Sequence, residues 1–345
     1  MPSLQVLVII VALYKQVLAC GPYSFDYKIF EQLRVVQNFY NVEEISECHE
    51  NQSVFVEDND IPELCCKILA CRNPLDGITF NSCFIRKLEE NCFSDSLQNV
   101  SFFIAITGNK ITIIKKHTFR DLVVTEINLN DNSIEELEDE AFLHLDNLRS
   151  INLNNNLLKA INSKAFTLVP RLERLHLFEN RITTLQAGVF SFLATESAQI
   201  YLMCNEIFQI ERSAFDNLSS RVTLDLNLNG NRIETLEEDI FNNHSVRLFD
   251  VSFNPLKKIS RNFCGQECAM QDFEFTCAYL ALEDVEFVLD WAKAKGVNLI
   301  GGGCSHYNLT FMLRPTQFCD GAKNFGHEFS WQLYVCVYLI LVNCN

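Results

Sequence analysis

Residues 151–166, "INLNNNLLKAINSKAF", set three consecutive asparagines between alternating apolar residues and a run that ends in Phe166. Two readings compete: a polar, low-complexity patch, or one unit of a periodic chain. The rest of the sequence decides between them. Asparagines recur at 109, 132, 156, 180, 205, 231 and 254, in steps of 23 to 26 residues. Ten residues after each of the first six stands a phenylalanine: Phe119, Phe142, Phe166, Phe190, Phe215 and Phe241. Five residues before the asparagines stand Ile104, Ile127, Ile151, Leu175, Ile200, Leu226 and Phe249, and apolar columns also fall three before, two after and five after. With Cys83 in the asparagine column, Ile78, Phe80, Ile85, Leu88 and Phe93 extend the register upstream. That gives about eight units over residues 76–260, and internal self-similarity at such a period means stacked repeats.

The alternation before each asparagine predicts a short strand with one side facing inward. The turn after it has backbone groups to satisfy away from water, which a buried carboxamide can do with both donors and acceptors. No single unit can bury its own apolar residues, so the units must stack, with sealed ends. The expected fold is an α/β-type solenoid: short parallel strands on the concave face, an irregular or 3-10 convex side, and disulfide-rich caps at both ends. In the quoted stretch Asn156 takes the ladder position. Asn152 and Asn154 are expected to point from the concave face, and of the three adjacent asparagines only Asn156 is expected to have a fixed structural duty.

These columns resemble the extracellular leucine-rich repeat family, in its form with ~24 residues per repeat. The resemblance implies a curved horseshoe that acts by binding. The layout is also faintly similar to arthropod relatives of the non-catalytic subunit of a luciferin monooxygenase, which implies a stabilising role beside a partner and no catalysis.

The ends place the chain in an oxidising compartment. Of fifteen cysteines, seven lie between Cys20 and Cys92 and five between Cys264 and Cys319, flanking a cysteine-poor middle. Residues 20–75 read as an N-terminal cap and 261–320 as a C-terminal cap. The odd count leaves one thiol over; isolated Cys204 is its leading candidate, or packs as a small hydrophobe. "LQVLVIIVAL" (4–13) followed by Ala19 reads as a secretory leader over 1–19. Asn51, Asn99, Asn217, Asn243 and Asn308 each begin a glycosylation sequon. "WQLYVCVYLILV" (331–342) is too short for a membrane-spanning helix. With the spacer before it and the small-residue trio at Asp320, residues 321–345 read as a glycolipid-anchor signal with Asp320 as attachment site.

Chemistry is sparse. The seven histidines lack metal-ligand spacing, "IGGGC" (300–304) lacks the ending of a phosphate loop, and "EELEDEAF" (135–142) lacks the ligand spacing of a calcium loop. No catalytic, cofactor or metal residue is indicated. A net charge of −16 counts against nucleic acid. Positions two, four and six before each asparagine should line the concave face. Most repeats put small or polar residues there. The two central repeats supply Arg174, His176 and Phe178, then Gln199, Tyr201 and Met203. Those six residues are the expected protein-binding patch, with another extracellular protein as partner.

Overall fold

The computed structural model describes residues 75–93, 100–219, 221–241 and 244–300, with the strand segments 9–12, 24–30, 52–57 and 63–64. One 13-stranded sheet runs through the chain in sequence order. Ile9–Ala12 and Ser24–Phe30 open it with antiparallel pairings. From Gln52–Glu57 onward every pairing is parallel: Leu75–Asn81, Val100–Thr107, Glu126–Asn128, Ser150–Asn152, Arg174–His176, Ser197–Tyr201, Thr223–Asn227, Ser245–Val251, Ala269–Phe275 and Asn298–Ile300. The parallel sheet thus continues past 76–260 at both ends. Ile9–Ala12, within the apolar stretch read as a leader, is the antiparallel first strand of the whole sheet.

Register follows the sequence columns. Ile104, Ile127, Ile151, Leu175, Ile200, Leu226 and Phe249 are paired in that order across the sheet, and all are buried. Each column asparagine ties its turn to the one before. Asn156 Oδ1 accepts from Ile134 N at 2.9 Å, and its Nδ2 donates to Leu129 O at 3.0 Å and Leu153 O at 3.1 Å. Asn180, Asn205, Asn231 and Asn254 repeat that arrangement. At the array's start Cys83 occupies the column and donates its Sγ to Asn81 O.

The residue just before each column position has positive φ: Ser82, Gly108, Asp131, Asn155, Glu179, Cys204, Gly230 and Phe253. Six of these eight carry a Cβ that disfavours the left-handed region by about 1–2 kcal/mol. Forward hydrogen bonds hold them there, as in Asn155 N→Phe178 O at 2.8 Å and Cys204 N→Asn229 O at 2.9 Å.

On the outer side, two-residue strand pairs such as Thr184–Leu185 with Gln209–Ile210 alternate with turns, and Ser163–Ala165 forms a 3-10 helix. Phenylalanine rings stack beneath them: Phe93 on Phe119, Phe119 on Phe142 and Phe142 on Phe166, with centroids 5.1–5.3 Å apart and planes within 6°. Phe166 then stacks on Phe192, and Phe190 begins a second run through Phe215 to Phe241. At the C-terminal end the helix Leu282–Lys295 closes on Gly296 with φ 72°, and Trp291 packs against Phe263 at 4.9 Å.

Cys264 is bonded to Cys268, and Cys204 and Cys277 are also in disulfide bonds. The expectation that Cys204 is a leftover thiol is therefore wrong. Register places Cys204 and Cys277 in one column, three strands apart. At ~4.8 Å per strand they are too far apart to bond to each other.

Candidate functional site

Strand register brings the central residues together on the concave face. Arg174 pairs with Gln199 and His176 with Tyr201, one turn to the next. The imidazole and phenol rings stack at 4.8 Å with planes 11° apart. Burial, with the positive charge of Arg174 beside it, pulls the His176 pKa down to about 4, so the ring is neutral at physiological pH. Burial pushes the Tyr201 hydroxyl upward. Phe178 is half-buried beside this pair, and Met203 is buried. Of the six patch residues, five remain partly accessible; Met203 belongs to the packing beneath.

The neighbouring asparagines prove to have structural work. Asn128 Oδ1 accepts from Asn130 N, Asn152 Oδ1 from Asn154 N, and Asn227 Oδ1 from Asn229 N, all at 3.0–3.1 Å. Asp250 does the same for Ser252 N. In these turns the side chain four before the ladder position satisfies the backbone N–H two residues on. Asn154 Oδ1 accepts from Phe178 N and Asn155 Nδ2 donates to Asp131 Oδ1, which overturns the expectation that only Asn156 of the three adjacent asparagines has a fixed duty. His176 and Tyr201 occupy that same position in the two central turns. Phe178 N is served instead by Asn154 Oδ1 of the preceding turn, at 2.8 Å.

Downstream, the sequence reading missed a charged group. Asp225 is 5% exposed, and its Oδ2 accepts from Arg247 and, at 3.4 Å, from Gln199. The register shifts between Leu224 and Asp225, which pair with Val246 and Leu248, so Arg247 is the extra residue of a bulge. A bulge re-aims its side chain, and here it brings Arg247 to the buried carboxylate. Sequence spacing alone carries no sign of it.

Of the sequon asparagines, Asn217 is exposed, twelve residues past its ladder asparagine and away from the concave rows. Asn51, Asn99, Asn243, Asn308 and Asp320 lie outside the described residues. No described helix is long and apolar enough to cross a membrane. Among the described residues no three His, Cys, Asp or Glu side chains are grouped to hold a metal.

Residues 123–182 and 148–194 match the leucine rich repeat family model. No curated protein matches the chain, so the similarity to luciferin monooxygenase subunit relatives has no support. Among solved structures, a chain of the Drosophila Toll–Spatzle complex is 17% identical, with 78% of this chain and 36% of that one covered at a TM-score of 0.56. A chain of the TLR13–ssRNA13 complex is 19% identical (77% and 46% covered, TM-score 0.45). A chain of the octameric complex of Latrophilin 3, Unc5D and FLRT2 is 15% identical (70% and 87% covered, TM-score 0.44). The chain spans less than half the length of the Toll-complex and TLR13-complex chains. Identities this low speak to the fold alone, and the Toll-complex match agrees with the solenoid described above.

Proposed function

We propose that the chain is a leucine-rich repeat protein, non-catalytic and extracellular, that holds another protein on its concave face. One observation carries this reading. His176 and Tyr201 replace the Asx residues that satisfy the backbone in neighbouring turns, and present stacked rings from the concave face. Aromatic residues and arginine dominate interface hot spots, because they bury large area at low entropic cost. A solved structure of similar fold is that of a complex, Toll with Spatzle. The sequons and the cysteine-rich ends support secretion, and the tail after Asp320 supports a glycolipid anchor.

The test uses the full secreted chain as bait, wild type against the Phe178→Ala/Tyr201→Ala double variant. A partner retained by the wild type and lost by a variant that melts normally is the expected result. Equal retention by both would refute the concave patch. Release of the protein from cells by a phosphatidylinositol-specific phospholipase tests the anchor separately.

A further inference from the structure

Downstream of the ring pair the concave face is built almost entirely of acceptors. Asp225, Asn227 and Asn229 line one turn, Asp250 and Ser252 the next, and Asp272 and Glu274 the one after. Asp250 pairs in register with Glu274, which sets two carboxylates on adjacent strands, ~4.8 Å apart along the sheet. Asp250 is 3% exposed and its Oδ1 accepts from both the N–H and the hydroxyl of Ser252. Asn229 is also 3% exposed. Its Nδ2 donates to Ser252 Oγ at 2.7 Å and its carboxamide lies against Asp250. Its Oδ1 has no donor, nor has Asp225 Oδ1. A buried acceptor without a donor is costly, and a donor brought by a ligand would relieve that cost.

Arg247 is the one cation among the described concave positions from Thr223 onward, and it is committed to Asp225. Asp272 takes Asn298 Nδ2 at 3.0 Å, and Asp250 has neutral donors alone, so no cation among the described residues balances the Asp250–Glu274 pair. A divalent cation needs more oxygen ligands than the pair supplies, and no third carboxylate joins them at one point. A lysine or arginine head fits better, since it brings only donors and carries the matching charge.

We propose that Asp250, Glu274 and the Asn229 carbonyl oxygen form a socket for a lysine or arginine side chain of the protein partner, beside the ring pair that holds an apolar residue of the same partner. The inference rests on the concave face being the binding face. It adds the chemistry of the ligand: a segment with an aromatic or aliphatic residue and a basic residue two to three strand spacings apart, ~10–14 Å.

Proton linkage follows. Burial raises both Asp250 and Glu274, and the Asp250 carboxylate adds to the rise of Glu274 to about 8, so without a partner the pair holds a proton at neutral pH. The charged groups around Glu274 are Asp250 and Asp272, with the Asp225–Arg247 pair a strand further upstream. An entering cation displaces that proton, so affinity falls as pH falls below about 8.

The experiment is selection of random twelve-residue displayed peptides on the full chain, in wild type, Glu274→Gln, Asp250→Asn/Glu274→Gln, Phe178→Ala/Tyr201→Ala, and a convex control, Glu237→Gln/Glu238→Gln. Peptides selected on the wild type and on the convex control are expected to be enriched several-fold in Lys and Arg. That enrichment is expected to vanish on Glu274→Gln while aromatic enrichment persists. A wild-type-selected basic peptide should bind more than tenfold more weakly at pH 6 than at pH 8. Basic enrichment that is absent from the wild type, or unchanged on Glu274→Gln and the double variant, overturns the socket. Loss of basic enrichment on the convex control would show general attraction to an acidic protein and overturn it too. If Phe178→Ala/Tyr201→Ala leaves the aromatic preference intact, the ring-patch reading fails while the socket stands.

Discussion

At the scale of single residues, the ladder asparagines carry the fold. Replacing Asn156 by alanine strips the acceptor from Ile134 N and the donors from Leu129 O and Leu153 O, all buried. Water cannot reach those groups, so the expected loss is about 2–4 kcal/mol, read from urea denaturation. The pH response is also local. His176 has a folded pKa of about 4 against an ordinary 6.5, so the unfolded chain binds its proton first as pH falls. Its contribution is complete above pH 6.5 and is lost between 6.5 and about 4, roughly 2–3 kcal/mol in all. His176→Gln should remove that slope. Glu274 works in the other direction: with its pKa raised to about 8, the folded state holds the extra proton. Stability therefore declines as pH rises from 4.5 to about 8, and Glu274→Gln should flatten that limb in urea midpoints measured across the window.

At the scale of elements, the phenylalanine stack and the bulge differ in how far the sequence reveals them. The stack is legible because a large apolar ring recurs ten residues after each ladder position, and only one kind of site, the wide outer side of the coil, can hold it. Phe142 is fully buried between Phe119 and Phe166, so Phe142→Ala should cost about 3–5 kcal/mol in a melting experiment. The slide of the stack onto Phe192 is not legible, since Phe190 and Phe192 both suit an apolar column. Nor is the left-handed position before each ladder residue, where Ser, Asp, Asn, Glu, Cys and Phe hold six of the eight places and Gly two. Hydrogen bonds from the next turn impose that conformation, and composition does not record them. The bulge at Arg247 hides for a related reason: one extra residue within a repeat of variable length leaves no mark on the columns. Its energetic signature is a coupled pair. Arg247→Ala leaves Asp225 buried without its cation, at an expected cost of about 1–3 kcal/mol. In an Asp225→Asn background the same change should cost markedly less, and a double-mutant cycle in urea measures the difference.

At the scale of the molecule, each turn touches chiefly the turns beside it. The columns therefore sufficed to read the solenoid, while disulfide pairing and the burial of Met203 needed the assembled chain: spacing says nothing of which sulfur reaches Cys204. Neighbour-only contact also determines how the protein should come apart, because stability becomes a sum of turn and interface terms, and opening begins at the ends. Interior strands from Glu126–Asn128 to Thr223–Asn227 have a ladder asparagine on both sides. Asn298–Ile300 is the last described strand, paired among the described residues on one side alone, and the helix before it starts at Ala281 without a side-chain cap. Native-state hydrogen exchange should therefore show amides of Ile127, Ile151, Leu175 and Ile200 protected to a common high level, with protection falling stepwise through Phe273 to Leu299. Asn156→Ala should lower protection most in its own turn and the two adjoining it, with the effect fading toward the ends. Uniform loss across all turns would mean that the array opens as one block and that the coupling between turns exceeds what single ladder bonds supply.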